Sequence, residues 1–372
     1  MGVLQAPPAA LKKGPDFDAL LSQGNEAARG KNWESAVSLF EQAIRLRPKS
    51  VESYQGLIWA LFQLERWDEA IVHGRMLAQL APDFGQPHEW LGAALLHLER
   101  YQEAIDELEI ATRLEPNNLV AWENLAHGCV RAEAWERALD AFREVVAFHP
   151  RSGKAHGDVG ATLGNLRRWE ECLWWHRQAI ALEDEPLHHK NLGVAFVELG
   201  RHDEAEKEFR EALRKSPGDA DLLMRLGEVH GRAERYELAS ALFRDAIESE
   251  PGNGMAHVYL GTALSMMGDH EQGVRECILG ADLDPNGDGN LYNLGNVLGR
   301  AGRHLEAIEA LRRAIQLRPE WALARTTLAE SLEALGRNAE AMSEYEAALR
   351  LDAHCLDDPE VRSIYERVKS KQ

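Results

Sequence analysis

Basic residues are scarce relative to acidic ones: the 372-residue chain has 42 Lys and Arg against 61 Asp and Glu, a formal charge of −19. Affinity for phosphate backbones is built from clustered Lys and Arg, so neither nucleic acid nor an anionic membrane is an expected partner. Cysteine is equally sparse. Cys129, Cys172, Cys277 and Cys355 form no C-x-x-C pair, which leaves neither a disulfide framework nor a zinc spacing and points to a reducing compartment. No run of 18 apolar residues occurs. The opening MGVLQAPPAALKKGP lacks an apolar signal core, places Lys12 and Lys13 too late for one, and has Ala6 where a myristoylation pattern wants Ser or Thr. A soluble, cytoplasmic protein with no membrane partner is the expectation.

Catalytic patterns are missing too. The chain has no H-E-x-x-H, no P-loop, no G-x-S-x-G elbow and no G-x-G-x-x-G after a strand, so a non-enzyme with no cofactor is expected. His188 and His189 would point about 100° apart on a helix and cannot converge on a metal as an i, i+4 pair would. His88, His156, His189 and His257 recur at one repeat position and read as packed imidazoles. No metal site is expected.

What is abundant is a period. Pro48, Pro82, Pro116 and Pro150 are each 34 residues apart, and Pro217, Pro251, Pro285 and Pro319 resume the spacing. The gap of 67 between Pro150 and Pro217 is one short of two periods, with Asp184 in the missing proline's place. With proline at position 32, repeats begin at Phe17, Val51, Gly85, Leu119, Gly153, Pro186, Ala220, Gly254, Asp288 and Ala322. Position 8 is then Gly or Ala in nine of ten repeats, and position 20 is Ala in eight. Position 24 is usually large, as in Phe40, Phe142, Phe209, Phe243 and Tyr345. Apolar residues at 4, 7, 8 and 11, then at 20, 24, 27 and 28, follow the spacing of buried helix stripes. Each repeat is therefore two helices, packed small against large.

These columns resemble the tetratricopeptide repeat, whose W-x2-L-G-x2-Y, A-x3-F and P elements are close to LVAWENLAHGC, ALDAF and Pro150 here. The resemblance covers residues 17 to 355. It implies an all-α protein: a right-handed α-solenoid superhelix of about ten helix-turn-helix units over residues 16–355. Residues 1–15, with Pro7, Pro8 and Pro15, are expected to form a flexible tail. Residues 356–372 should hold a C-terminal capping helix and tail, with Asp358 as N-cap, Pro359 at N1, and Val361, Ile364, Tyr365 and Val368 as its apolar stripe. Trp33, Trp67, Tyr101, Trp135, Trp169 and Tyr236 recur at position 17 and read as core.

Positions 2, 5, 6, 9 and 13 of each first helix lie opposite its packed stripe, and the family's solenoid lines its concave groove with them. Asn124, Asn191 and Asn293 share position 6, and an amide offers both donors and an acceptor to an extended backbone. Such a row resembles the asparagine ladder of the O-linked N-acetylglucosamine transferases, interrupted here by Asp158, Arg225 and Tyr259; alternatively each Asn bonds a neighbouring helix. The carboxylate clamp of co-chaperones is not matched, since Leu21, Gly56, Gln86 and Trp90 stand at its places. Repeat eight presents Met255, Val258, Tyr259, Thr262 and Met266, an apolar stripe on the face expected to be wet. Its Gly273 and Gly280 should make it the softest repeat.

The resulting expectation is a non-catalytic protein–protein interaction scaffold that holds a peptide or partner segment in its concave groove. The expected contacts are Asn124, Arg131, Lys190, Asn191, Arg225, Arg232, Met255, Tyr259, Tyr292, Asn293, Asn296 and Arg300. Arg225 is assigned to a partner carboxylate. Two alternatives stand beside it: self-assembly through a convex face carrying Trp174 and Trp175, or a detached specificity subunit of a separately encoded enzyme. The oligomeric state is left open.

Overall fold

The computed structural model describes residues 16–355, 357 and 359–370; the expected tail at 1–15 and the Asp358 cap lie outside these. All regular structure among the described residues is helical. The chain divides into two compact bodies, Met1–Glu183 and Asp184–Gln372. The division falls at the loop that has lost one residue and its proline.

The first body contains five hairpins: α1 (Phe17–Arg29) with α2 (Trp33–Leu46), α3 (Val51–Gln63) with α4 (Trp67–Leu80), α5 (Gln86–His97) with α6 (Tyr101–Leu114), α7 (Leu119–Arg131) with α8 (Trp135–Phe148), and α9 (Gly153–Asn165) with α10 (Trp169–Leu182). The second contains five more: α11 (Pro186–Glu198) with α12 (His202–Lys215), α13 (Ala220–Arg232) with α14 (Tyr236–Ser249), α15 (Gly254–Met266) with α16 (His270–Leu283), α17 (Asp288–Arg300) with α18 (His304–Leu317), and α19 (Ala322–Ala334) with α20 (Asn338–Leu351). A last helix, α21 (Pro359–Lys369), closes the chain. Gly85 is the N-cap of its helix, not the first helical residue.

The hairpins turn tightly because the residue at position 15 takes a left-handed backbone. It is glycine at Gly200, Gly268, Gly302 and Gly336, and an ordinary residue at Lys31, Glu65, Glu99, Glu133, Arg167 and Glu234. The next N–H then reaches back to the helix's last turn, as from Arg66 to the Leu61 carbonyl at 3.0 Å, which satisfies an orphan carbonyl.

Within a hairpin the small position 8 receives the large position 24. A Cβ added at Gly193 would lie 2.6 Å from the Phe209 ring, and one at Gly295 would lie 2.5 Å from Leu311. Repeat two inverts the pair, with Ile58 at position 8 and Gly74 at position 24, both buried. In repeat eight both partners are small. There Gly261 and Gly273 bring two backbones together: a Cβ at either would meet the other's carbonyl oxygen, at 2.5 and 2.7 Å. Gly254 and Gly280 do the same two turns away. The expectation of a soft repeat is therefore reversed, because glycine here shortens the interhelical distance and does not leave a void. The same approach buries Val258 completely against α16, so Val258 leaves the exposed stripe assigned to it.

The last helix covers the end of the stack. Val368 is fully buried, Val361, Ile364 and Tyr365 pack on the final core cluster, and Tyr365 meets Tyr345 edge to face at 5.7 Å. Arg367 donates to both Glu333 carboxylate oxygens at 3.1 Å.

Candidate functional site

Position 8 faces the hairpin partner, so positions 6, 9 and 13 of each first helix are turned away from it. Position 5 lies only about 60° around the helix from position 8, and it is buried at Met224, Val258 and Thr326. It is half-buried and joins the open face at Lys190 and Tyr292.

The structure divides the expected contacts between the bodies. In the first, Asn124 is half-buried on α7 and Arg131 is exposed at its end. Arg131 lies over the Tyr101 ring at 5.1 Å, with Glu99 at 3.8 Å. The other ten lie in the second body, on α11, α13, α15 and α17. Asp221 holds two of them: Arg225 Nε sits 3.0 Å and Lys190 Nζ 3.2 Å from its carboxylate. Burial pushes that carboxyl up, but the two cations hold it below the ordinary range. Arg225 thus already has a carboxylate within the chain. Tyr292 packs against Trp321, the rings tilted by 39° with centroids 4.7 Å apart.

Asn191, Asn293 and Asn296 are half-buried, and their side chains make no hydrogen bond among the described residues; the same holds for Asn124. They do not bond a neighbouring helix. Each retains its donors and acceptor for something outside the fold.

Between α13, α14 and α15 the face opens into a cavity of about 400 Å³, walled by Tyr236, Ala239, Phe243, Tyr259, Ala263 and Met266, with Glu228, Gly231, Arg232 and Thr262 at its polar side. The Phe243 and Tyr259 rings lie 5.5 Å apart. A smaller cavity of about 90 Å³ adjoins it between α11 and α13 and shares Glu228 and Arg232. Burial raises the Glu228 carboxyl above its usual range despite Arg225 and Arg232, and burial beside Glu228 likewise raises the Tyr259 phenol.

Of the expected contacts, Arg232 and Tyr259 line the larger cavity, and Arg225 lines the smaller. Glu228, Tyr236 and Phe243 were not among them. The column-17 aromatics, read as core, are all half-buried, and three of them meet position 13 of the following repeat. Trp67 stacks flat on His97 at 4.0 Å, Tyr101 underlies Arg131, and Tyr236 shares the cavity with Met266. That recurrence of a large ring beside a groove residue in three repeats was the available signal.

The family models for the tetratricopeptide repeat match residues 21–83, 91–153, 224–287 and 292–354, and a second model of the same repeat matches 186–229. The chain belongs to the tetratricopeptide repeat family. This family's fold is a scaffold for protein–protein interaction. No curated protein sequence matches the chain. Among solved structures, the APC/C hetero-tetramer Cut9–Hcn1 superposes with a TM-score of 0.55 at 10% identity, covering 95% of this chain and 96% of that one. That similarity extends the solenoid fold over nearly the whole sequence. Yeast Tom70 gives 0.47 at 15% identity, with 96% of each chain covered. YrrB, described as a TPR protein with an unusual peptide-binding site, gives 0.41 at 23% identity, covering 50% of this chain and 97% of that one.

Proposed function

We propose that this protein is a non-catalytic scaffold that holds an extended segment of a partner protein along the open face of α11, α13, α15 and α17. The observation that carries the reading is the set of half-buried amides at Asn191, Asn293 and Asn296 that bond nothing else in the chain. An extended segment has backbone donors and acceptors along its whole length, and amides meet them whatever its side chains are. The adjoining cavity supplies a place for a side chain.

The test compares wild type with a triple variant, Asn191→Ala, Arg225→Glu and Tyr259→Ala, both shown folded by circular dichroism, in pull-downs from soluble lysate followed by photo-crosslinking from position 293. Partners crosslinked at position 293 by wild type and lost by the variant support the groove. Identical partners from both proteins would sink the reading.

A second reading has its own observation. Trp174 on α10 is 53% exposed and packs edge-on against Trp175 at 4.9 Å, a rigid aromatic pair on the surface of the first body. Self-association through that face predicts concentration-dependent light scattering that Trp174→Glu abolishes.

A further inference from the structure

The second body leaves two groove cations without a salt bridge, one of them, Arg232, beside the half-buried carboxyl of Glu228. Lys190 and Arg225 are held by Asp221, whereas Arg232 and Arg300 are exposed and no salt bridge within 4 Å involves either among the described residues. Both stand at position 13, at the ends of α13 and α17. Between them, at position 13 of α15, is Met266, 38% exposed at the aromatic cavity. The row therefore reads cation, apolar cavity, cation along three consecutive first helices. Resting on the groove reading above, we propose that the segment it binds is acidic, with one aromatic or large aliphatic anchor seated in the Tyr236–Phe243–Tyr259 cavity and a carboxylate three residues to either side.

The spacing follows from two repeats that coincide. Helix α15 touches both α13 and α17, and packed helices lie about 8–10 Å apart. A polyproline II segment returns to the same face every three residues and advances about 3.1 Å per residue, or roughly 9 Å per turn. Residues at i−3, i and i+3 thus point the same way and step from Arg232 to the cavity to Arg300. A β-strand repeats its face every two residues, so its i±3 side chains would point away from the protein. Polyproline II also has no internal hydrogen bonds, which leaves its backbone open to Asn191, Asn293 and Asn296. The cavity chemistry fits one ring: Tyr236, Phe243 and Tyr259 offer aromatic edges, and Met266 adapts around them.

The test uses the full chain and fluorescein-labelled seven-residue peptides read by anisotropy. The probe has glutamate at its first and seventh places, phenylalanine at the fourth, and proline or alanine elsewhere. The proposal predicts that replacing phenylalanine by alanine, or either glutamate by lysine, weakens binding about tenfold or more. Arg232→Glu with Arg300→Glu should reverse the preference, so that the lysine-ended peptide becomes the better ligand. Both arginines are exposed, so the variant is expected to fold. Equal binding of glutamate-, glutamine- and lysine-ended peptides, abolished by Asn191→Ala with Asn293→Ala, would overturn the charge-and-anchor assignment and leave the groove reading standing. If no peptide binds, or if binding is indifferent to the asparagine variant, both fail.

Discussion

Residues in this protein are legible as pairs more than as individuals. In eight of the ten repeats position 4 of the first helix is matched in type by position 23 of its own second helix. Leu20 packs with Leu39 and Leu223 with Leu242, Tyr54 lies 5.9 Å from His73, and His156 lies 5.3 Å from Trp175. Polar members are matched as well: His88 with Glu107 at 2.6 Å, His189 with Glu208 at 2.6 Å, His257 with Glu276 at 2.8 Å and Arg325 with Glu344 at 2.8 Å. Three of the column's imidazoles, His88, His189 and His257, are each held by a carboxylate that a single column could not reveal, while His156 donates to the Ser152 carbonyl at 2.8 Å. The small-to-large match of positions 8 and 24 could be read from sequence because each column keeps its type in all but repeats two and eight. Columns 4 and 23 vary down the repeats while their members match within most of them, so only reading them jointly exposes the pairing. His257→Leu alone should cost about 1–3 kcal/mol, since Glu276 is left half-buried without its partner. Adding Glu276→Leu, which recreates the Leu–Leu pair of repeat seven, should recover most of that loss. Urea unfolding of both singles and the double measures the coupling; additive effects would mean that the pair does not act as one unit.

Elements, by contrast, follow distances that periodicity alone does not carry. Glycines inside α16 look costly by helix propensity, and Gly273→Ala should then gain about 1 kcal/mol. The structure predicts the opposite. The new methyl would meet the Gly261 carbonyl oxygen at 2.7 Å and the Ser265 nitrogen at 3.1 Å, backbone atoms that cannot rotate away, for a net loss of about 1–3 kcal/mol. Gly289→Ala in α17, with open space around it, should be neutral or stabilising in the same thermal melts. Position 5 shows the same limit of the helical wheel. It was placed on the groove with positions 6, 9 and 13, yet Val258 turned inward because its partner helix came unusually close. Helix α13 adds a pH dependence. His230 is 2% exposed, with Glu206 at 3.8 Å, and burial holds its pKa below the ordinary imidazole range. A depressed histidine stabilises the fold in its neutral form, so its contribution is complete above the unfolded value of about 6.5 and is lost as pH falls below it. Unfolding free energy should therefore drop between pH 7.5 and 5.5, and His230→Gln should flatten that drop. An unchanged slope in the variant would assign the acid sensitivity elsewhere.

At the scale of the whole chain, stability in a repeat protein is a sum of hairpins and their nearest-neighbour contacts, with the ends as special cases. The sequence disclosed the final helix through its Pro359 start and its apolar stripe. It could not disclose the cation, cavity and cation row, because that arrangement depends on which first helices pack side by side and on Arg232 and Arg300 forming no salt bridge within 4 Å among the described residues. The end itself offers a measurable consequence. Ending the chain after residue 355 removes α21, uncovers Tyr345 and strands Glu333 without Arg367. The loss should be about 2–4 kcal/mol, the scale of burying one or two large apolar side chains, and nearest-neighbour coupling should confine it to the last repeats. Tryptophan placement makes that confinement visible, since nine of the ten tryptophans precede Glu183 and only Trp321 follows it. Intrinsic fluorescence therefore follows mainly the first body, and circular dichroism follows both. The truncated chain should show a lowered midpoint for part of the helical signal and an unchanged fluorescence midpoint. If both midpoints fall together, unfolding propagates through all ten hairpins as one cooperative unit, and the nearest-neighbour account of this protein is wrong.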